Sequence, residues 1–424
     1  MSKTHNPTRS GTAQTGGLDA KGYRRAALEA VTFHGTVTDM QFRREALEAK
    51  NSPLIQFAMA ANAVENPYRL YYGESDMPTP EFICRALDKA VRDGHTGYTP
   101  TPGYPELRQA ICEKFLSLHG IEYRPSEVVT TIGACNAIFL TIRSVIGPGD
   151  NAIIVSPAFS IFASTVTVFG GEVREVPLVH DGNQFRLDLD RLSAAIDSRT
   201  RLLVVNSPSN PTGWVISRKE QQALWELALR HDFLILSDEV YDRIFFDGDI
   251  APSFAGVATD KDHLVVINSF SKTYNMTGWR LGYALGSEGL IGLMTKVEEF
   301  IVSSPPAMIQ QAGIAALREG EPFVDELRAQ FAKRRSIVVD KLSRIPGLSL
   351  PKAQGAFYAF PRIEGVSDSM KFALDLLRET HVAIAPGMAF GRYGEGYVRI
   401  SYASSEAVLM PALDLFAAYM NRRS

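Results

Sequence analysis

The middle of the chain holds four short runs of apolar residues that favour one type of fold. They are rich in Ile, Val and Leu, and they comprise Ala152–Val155, Leu202–Val205, Phe233–Leu236 and Leu264–Ile267. Continuous rather than alternating apolar residues are typical of strands that are buried on both faces of a parallel sheet. The sequence therefore predicts an α/β fold with a mainly parallel sheet and right-handed crossovers.

A helix is predicted between the second and third runs. Ser217 and Glu220 have the spacing of a capping box, in which each side chain binds the backbone N–H of the other residue. Leu224 and Leu227 then belong to an apolar stripe that extends towards His231. This pattern indicates an amphipathic helix that begins after Ser217 and connects two strands.

A polar segment follows each apolar run at its carboxyl end. These segments are Ser156–Phe159, Asn206–Gly213, Ser237–Tyr241 and Asn268–Lys272. In open α/β sheets, ligands bind in the crevice outside the carboxyl ends of the strands. We therefore expect the four segments to meet and to form one binding site.

Composition narrows the class of protein. The chain has 424 residues and a formal net charge of −3, which argues against nucleic acid as a partner. No apolar run approaches the roughly 18 residues that span a bilayer, and the N-terminus lacks the apolar core of a secretory signal. The three cysteines lie far apart without metal-ligand spacing. We expect a soluble cytoplasmic protein with no metal site and no membrane partner.

The sequence around Lys272 resembles that of a known enzyme family. Ser269-Phe270-Ser271-Lys272 follows the last apolar run, and Thr277-Gly278-Trp279-Arg280-Leu281-Gly282 comes shortly after it. This region is similar to the lysine region of class I and II aminotransferases, which are fold-type-I pyridoxal-phosphate enzymes typified by aspartate aminotransferase. The resemblance extends from about Asn51 to Met420 and implies that Lys272 carries pyridoxal phosphate as a Schiff base and later moves the proton.

The resemblance also implies which residues bind the rest of the cofactor. Asp238 would contact the pyridinium nitrogen, while Tyr241 and Asn210 would contact the 3-oxygen. Ser269 and Arg280 would bind the phosphate, with Ser271 as a further candidate, and an arginine suits this task because its planar fork donates two hydrogen bonds. From local sequence alone, an alternative for Asp238 is to cap the next helix.

Four further cofactor contacts are implied. Phe159 occupies the position of an aromatic residue that stacks on the cofactor ring. Ala134 and Cys135 lie in Thr131–Ala137, which resembles a turn where backbone N–H groups at a helix start hold the phosphate. Tyr98 resembles a tyrosine that reaches the cofactor phosphate of the partner subunit. The active unit is therefore expected to be a homodimer.

Substrate-binding residues are implied as well. Arg399 matches an arginine that binds the substrate α-carboxylate by a bidentate pair. Gly73 and Asn210 match substrate-contacting positions. Cys135 stands where some aspartate-using relatives have a lysine, and no second arginine is identifiable, so we expect neutral or aromatic amino acids.

The resemblance suggests a domain division. Residues 1–21 are polar and are expected to be a disordered tail. Residues 73–325 would form the large domain that binds pyridoxal phosphate. Residues 22–72 and 326–424 would form a smaller α+β domain. In this C-terminal part we predict a helix at Phe323–Arg344 and a strand at Gly355–Phe360. A second helix is predicted at Ser369–Glu379 and a second strand at Tyr397–Tyr402.

The expected reaction is transamination, in which an amino group moves between an L-amino acid and a 2-oxo acid by a ping-pong Schiff-base mechanism. A carbon–sulfur β-lyase, a decarboxylase or a racemase on the same fold is an alternative, because the fold alone does not decide the reaction. A non-catalytic, ligand-binding regulator is a further alternative. Retention of Lys272 and Asp238 disfavours it, and the first 50 residues are too short and not basic enough for a DNA-binding head.

Overall fold

A computed structural model describes residues 52–423 of the chain. The predicted tail at residues 1–21 and the part of the small domain at residues 22–51 lie outside the described residues. Within residues 52–423, no helix combines the length and apolarity that crossing a membrane requires.

The described residues form thirteen α-helices. These are α1 (Pro53–Ala63), α2 (Glu81–Arg92), α3 (Pro105–His119), α4 (Ala134–Val145), α5 (Ile161–Val168), α6 (Leu189–Ala194), α7 (Arg218–His231), α8 (Phe270–Thr273), α9 (Glu288–Glu299), α10 (Ala307–Glu319), α11 (Glu321–Leu342), α12 (Ser369–Thr380) and α13 (Glu406–Arg423). Short 3₁₀ helices lie at Pro125–Glu127, Phe254–Gly256, Gly387–Phe390 and Arg392–Gly394.

The same residues form fifteen strands. These are β1 (Tyr68–Arg69), β2 (Val128–Thr131), β3 (Asn151–Ser156), β4 (Glu172–His180), β5 (Phe185–Leu187), β6 (Thr200–Asn206), β7 (Leu234–Asp238), β8 (Leu264–Ser269), β9 (Gly282–Leu285), β10 (Leu348–Ser349), β11 (Tyr358–Ala359), β12 (Arg362–Ile363), β13 (Val382–Ala383), β14 (Ala385–Pro386) and β15 (Val398–Ser401).

Eight strands form one large sheet in the order β2-β9-β8-β7-β6-β3-β4-β5. The strands from β8 to β4 in this order are all parallel, while β9 is antiparallel to both of its neighbours and β5 is antiparallel to β4. The four predicted apolar runs are β3, β6, β7 and β8, so the α/β prediction with a mainly parallel sheet is confirmed. The third strand begins at Leu234 rather than Phe233, because Asp232 ends α7 in a left-handed conformation.

Both faces of this sheet are covered. In β3, Ile153 and Val155 belong to one apolar core, whereas Ala152 and Ile154 belong to a second core on the opposite face. Side chains alternate between the two faces along a strand, so burial of both faces requires apolar residues at successive positions. This explains why the runs are continuous.

The predicted capping box is present at the start of α7. Ser217 Oγ accepts a hydrogen bond from the backbone N–H of Glu220, and the Glu220 carboxylate accepts one from the N–H of Ser217 at 2.8 Å. These two bonds satisfy N–H groups that have no partner inside the helix. The helix prediction between β6 and β7 is confirmed.

The C-terminal part contains the predicted elements with shorter strands. The predicted long helix is α11, and the predicted strand Gly355–Phe360 is reduced to β11, since Ala356 and Phe357 form a turn with Ala356 at φ 57°. Strand β15 lies between β11 and β14 in a small antiparallel sheet. Strand β1 pairs with β13, which joins the N-terminal segment to this part of the chain. The two-domain division stays a prediction.

Candidate active site

The four polar segments meet at the carboxyl edge of the large sheet, where they line a cavity of about 290 Å³. Every predicted site residue except Tyr98 lines this cavity. Parallel strands place their carboxyl ends side by side, so residues that are far apart in sequence come together here. The cavity also receives residues from outside the sheet, notably from α1 and β15.

Lys272 lies on the short helix α8, directly after β8. Its Nζ donates a hydrogen bond to the carbonyl of Gly73 at 2.5 Å and lies about 6 Å from the ring centres of Tyr241 and Phe357. Enclosure by the protein lowers the pKa of Lys272 to about 8, and the nearby Arg399 contributes in the same direction. The uncharged amine that a nucleophile or base requires is therefore much more abundant at neutral pH than for an ordinary lysine.

Asp238 is the last residue of β7 and is 5% exposed. Burial raises the pKa of its carboxyl to about 7, although the positive charge of Lys272 and a hydrogen bond from the N–H of Val240 at 3.3 Å act against this. Among the described residues Asp238 has no ion-pair partner, and a buried carboxylate of this kind favours a cationic ligand. The cavity thus offers a binding site for a protonated nitrogen at Asp238.

Bare backbone and an arginine surround the start of α4. A Cβ on Gly133 would lie 2.3 Å from Arg280 Nη2, and one on Gly282 would lie 2.7 Å from the backbone nitrogen of Ala134. Ser269 Oγ donates to the carbonyl of Leu281 at 3.1 Å at the same edge. Because the helix N-terminus and Arg280 both favour negative charge, this cradle suits a phosphate group.

Arg399 projects from β15 and is 2% exposed. Its Nη1 donates to Asn210 Oδ1 at 2.7 Å, and its Nη2 donates to the carbonyl of Tyr71. Among the described residues, its Nε has no hydrogen-bond acceptor. A buried guanidinium that lacks a carboxylate partner can bind the carboxylate of a ligand, to which it donates a bidentate pair of hydrogen bonds.

Two tyrosines connect these groups. The hydroxyls of Tyr241 and Tyr358 lie 2.8 Å apart, and the Arg399 guanidinium lies 4.3 Å from the centre of the Tyr358 ring. A Cβ on Gly73 would lie 2.3 Å from Tyr358 Oη, so a glycine at residue 73 lets the backbone pass close to this ring. Tyr358 was not predicted from sequence, although it lies in the predicted strand that became β11.

Other lining residues were also missed. They received no individual role and come from separate elements: Leu54, Ile138, Asn206, Val240 and Thr277. Asn206 and Val240 belong to the predicted polar segments, and Thr277 begins the motif that contains Arg280. Cys135 and Phe159 line the cavity as predicted. Cys135 is exposed to the cavity, and the protein atoms that surround its thiol raise the pKa of that thiol by desolvation. Leu54 and Ile138 reach the cavity only through the fold, and no motif of the sequence analysis contains them.

Tyr98 lies outside the cavity. Its side chain is 97% exposed, and it lines a separate groove with Val302, Pro305 and Met308. Within a single chain it therefore has no contact with the predicted phosphate cradle. Its predicted role requires a second copy of the chain.

Taken together, the cavity combines an amine, a buried carboxylate, a cradle for a phosphate and a second arginine. Pyridoxal phosphate has groups that match the first three, namely an aldehyde, a ring nitrogen that can be protonated, and a phosphate. The residues present therefore fit this cofactor. Arg399 remains for the carboxylate of an amino acid.

Comparisons with known proteins agree with this fit. The model of the family described as aminotransferase class I and II matches residues 68–415. The chain is 36% identical to an aspartate aminotransferase from Pyrococcus horikoshii, over 86% of this chain and 93% of that protein. It is 37% identical to aromatic-amino-acid aminotransferase 2 from Thermococcus litoralis, over 84% and 92% respectively. A solved structure of a mutant of Thermus thermophilus aspartate aminotransferase superposes with a TM-score of 0.84 at 35% identity, covering 89% of this chain and 99% of that one.

Proposed function

This chain belongs to the class I and II aminotransferase family, and from that premise we propose which role each residue of its cavity has in the reaction. The protein is a pyridoxal-phosphate-dependent aminotransferase, which moves an amino group between an amino acid and a 2-oxo acid. The observation that best supports these roles is that two groups of one cavity have pKa values shifted in opposite directions. The pKa of Lys272 is lowered and that of Asp238 is raised.

Lys272 is the attachment point and the proton carrier in this proposal. Bound pyridoxal phosphate supplies an electron sink that stabilises negative charge at the substrate Cα. The Lys272 amine would attach the cofactor covalently and, once released by substrate, would take the proton from the substrate Cα. Its lowered pKa supports both tasks, because each needs the neutral amine.

Asp238 would keep the ring nitrogen of the cofactor protonated. Without a bound cation, burial holds the pKa of Asp238 at about 7. An opposite charge within hydrogen-bonding reach lowers the pKa of a carboxyl by roughly 1–3 units. Asp238 would therefore be ionised when the cofactor is bound. Tyr241 and Asn210, which face the same cavity, would bind the 3-oxygen.

The remaining polar groups would bind anions. Ser269, Arg280 and the N–H groups of Ala134 and Cys135 would hold the phosphate, and the ring of Phe159 would stack on the cofactor. Arg399 would bind the α-carboxylate of the substrate. Its contacts with Asn210 and the Tyr71 carbonyl support this role, because they hold the guanidinium in place.

We also propose that the active unit is a homodimer. Val302 lines the groove beside Tyr98, and the two residues that precede it in the chain are large, apolar and exposed, Phe300 at 80% and Ile301 at 48%. A second copy would cover this surface, and Tyr98 would reach the phosphate in the partner's cavity. A cytoplasmic location is proposed as well; the three free cysteines support a reducing compartment.

A two-step absorbance experiment tests the reaction. The holoenzyme is mixed with an amino acid in the absence of an acceptor, and a 2-oxo acid is added after the spectrum changes. Transamination predicts that the 2-oxo acid restores the original spectrum and that a new amino acid accumulates. Release of pyruvate and ammonia without an acceptor would instead indicate β-elimination, and release of carbon dioxide would indicate decarboxylation.

A further inference from the structure

The charges that line the cavity are nearly all assigned by the proposed function. Among the described lining residues, three side chains are cationic: Lys272, Arg280 and Arg399. Lys272 is assigned to cofactor attachment, Arg280 to the phosphate and Arg399 to the substrate α-carboxylate. Among the described residues that line the cavity, no further cation is left for a second carboxylate on the substrate.

A nearby negative charge also opposes a second carboxylate. Glu74 follows Gly73 at the edge of the cavity, and its carboxylate raises the pKa of Lys272 by charge attraction. Glu74 Oε1 accepts a hydrogen bond from Thr277 Oγ1, and Thr277 lines the cavity. Glu74 is therefore held close enough to the amine to add negative potential there.

Apolar side chains form the rest of the wall. Leu54, Ile138 and Phe159 line the cavity beside the thiol of Cys135, whose pKa is raised by enclosure within the protein. Burying an anion against such a wall without a partner is strongly unfavourable, whereas burying CH₂ and CH₃ groups there is favourable.

Leu54 differs from the other apolar lining residues in the structural element that carries it. It is the second residue of α1, outside the large sheet, and it is only partly buried. Helix α1 packs on β14 and α12, and Ser52, just before the helix, accepts a hydrogen bond from Ser160 beside Phe159 at 3.4 Å. These contacts hold Leu54 in the cavity wall from an element outside the large sheet.

We propose that the amino acid substrate has an uncharged, apolar side chain and that Leu54 is a specificity-determining residue that packs against it. This inference rests on the proposed function and names its substrate class. It distinguishes the protein from relatives named aspartate aminotransferase, whose substrate carries a second carboxylate.

Binding of unreactive carboxylates to the holoenzyme tests the substrate class. Calorimetry gives dissociation constants for 4-methylpentanoate, with one carboxylate and an apolar tail, and for glutarate, with a carboxylate at each end. We expect 4-methylpentanoate to bind at least about tenfold more tightly, since one methylene in an apolar pocket already contributes roughly 10-fold or more. Equal or tighter binding of glutarate would overturn the proposal, including the case in which a partner subunit supplies the missing cation.

A matched pair of variants tests Leu54. Ile55 is its neighbour on α1, is 54% exposed and does not line the cavity. Leu54→Ala is expected to weaken binding of 4-methylpentanoate by about tenfold while leaving propanoate binding unchanged, and Ile55→Ala is expected to change neither. Equal effects of the two substitutions would refute the role of Leu54. Should Leu54→Ala not fold, Leu54→Val carries the same test with a smaller expected loss.

The failure of this inference differs from the failure of the proposed function. Arg399→Lys should weaken both 4-methylpentanoate and propanoate if Arg399 binds the α-carboxylate. If that loss is seen but glutarate is preferred, only the substrate class is wrong. If neither ligand responds to Arg399→Lys, the assignment of the substrate site itself is wrong.

Discussion

Replacing Gly73 with alanine is expected to displace Tyr358. The added Cβ would lie 2.3 Å from Tyr358 Oη, whereas the next nearest atom of that ring, Cζ, is 3.5 Å away. Tyr358 is 1% exposed and is held by the Tyr241 hydroxyl and the Arg399 guanidinium, so the ring cannot move without breaking these contacts. Overpacking of this kind costs about 1–3 kcal/mol.

The same geometry predicts a rescue. Tyr358→Phe removes Oη, so that the closest contact of an alanine at residue 73 becomes an ordinary one at 3.5 Å. Tyr358→Phe alone should lose one hydrogen bond with Tyr241, worth about 1 kcal/mol. The double variant Gly73→Ala/Tyr358→Phe should therefore be less impaired than the sum of the single variants, by about 1–2 kcal/mol.

A double-mutant cycle measures this coupling. Thermal unfolding midpoints and the dissociation constant of propanoate are compared for the wild type, the two single variants and the double variant. Gly278→Ala is a control, because no atom lies within 4 Å of a Cβ built there. Additive effects in the double variant, or an effect of Gly278→Ala as large as that of Gly73→Ala, would refute the steric explanation.

Three further results are expected. Asp238 keeps its proton up to about pH 7 in the folded protein, whereas the unfolded chain releases it near pH 3.8. Protonated Asp238 therefore stabilises the apo protein at low pH, and this stabilisation is lost as the pH rises through about 7. Asp238→Asn should therefore gain stability relative to the wild type as the pH rises from about 4 to 8, by up to about 4 kcal/mol. Thermal midpoints of the two proteins that keep the same difference across this pH range would contradict the raised pKa of Asp238. Glu74→Gln should lower the pKa of Lys272 below about 8, seen in the pH dependence of its acylation in the apo protein, whereas the exposed Glu65→Gln should not. Tyr98→Phe should weaken pyridoxal phosphate binding in equilibrium dialysis by about tenfold or more, as expected for a lost hydrogen bond to a charged group, with an unchanged dimer in size-exclusion chromatography; unchanged affinity would argue against a contact across subunits.

The large sheet could be predicted from the sequence because its signal is local. Each apolar run is continuous, and the structure places Ile153 and Ile154 on opposite buried faces, so no residue of the run could be polar without facing a core. The capping box at Ser217 is equally local, since both partners lie within one turn. Convergence of the polar segments followed from the sheet topology alone.

The roles of individual site residues were harder to predict from the sequence. Asp238 in its local sequence is indistinguishable from a helix cap, and its assignment came from resemblance to a family. Tyr358 and Leu54 could not be found, because their importance lies in contacts with residues distant in sequence, such as Gly73 and the wall of the cavity. Tyr98 is exposed in a single chain, so even the structure of one copy leaves its role a prediction.

Covalent trapping examines the assignment of Lys272. The holoenzyme is reduced with borohydride, digested and analysed by mass spectrometry, with Lys272→Ala treated in the same way. One peptide, the one that contains Lys272, should gain the mass of the reduced cofactor at about one label per chain, and the label should be absent from the variant. A label on another lysine, or none at all in protein that has bound pyridoxal phosphate, would contradict the assignment.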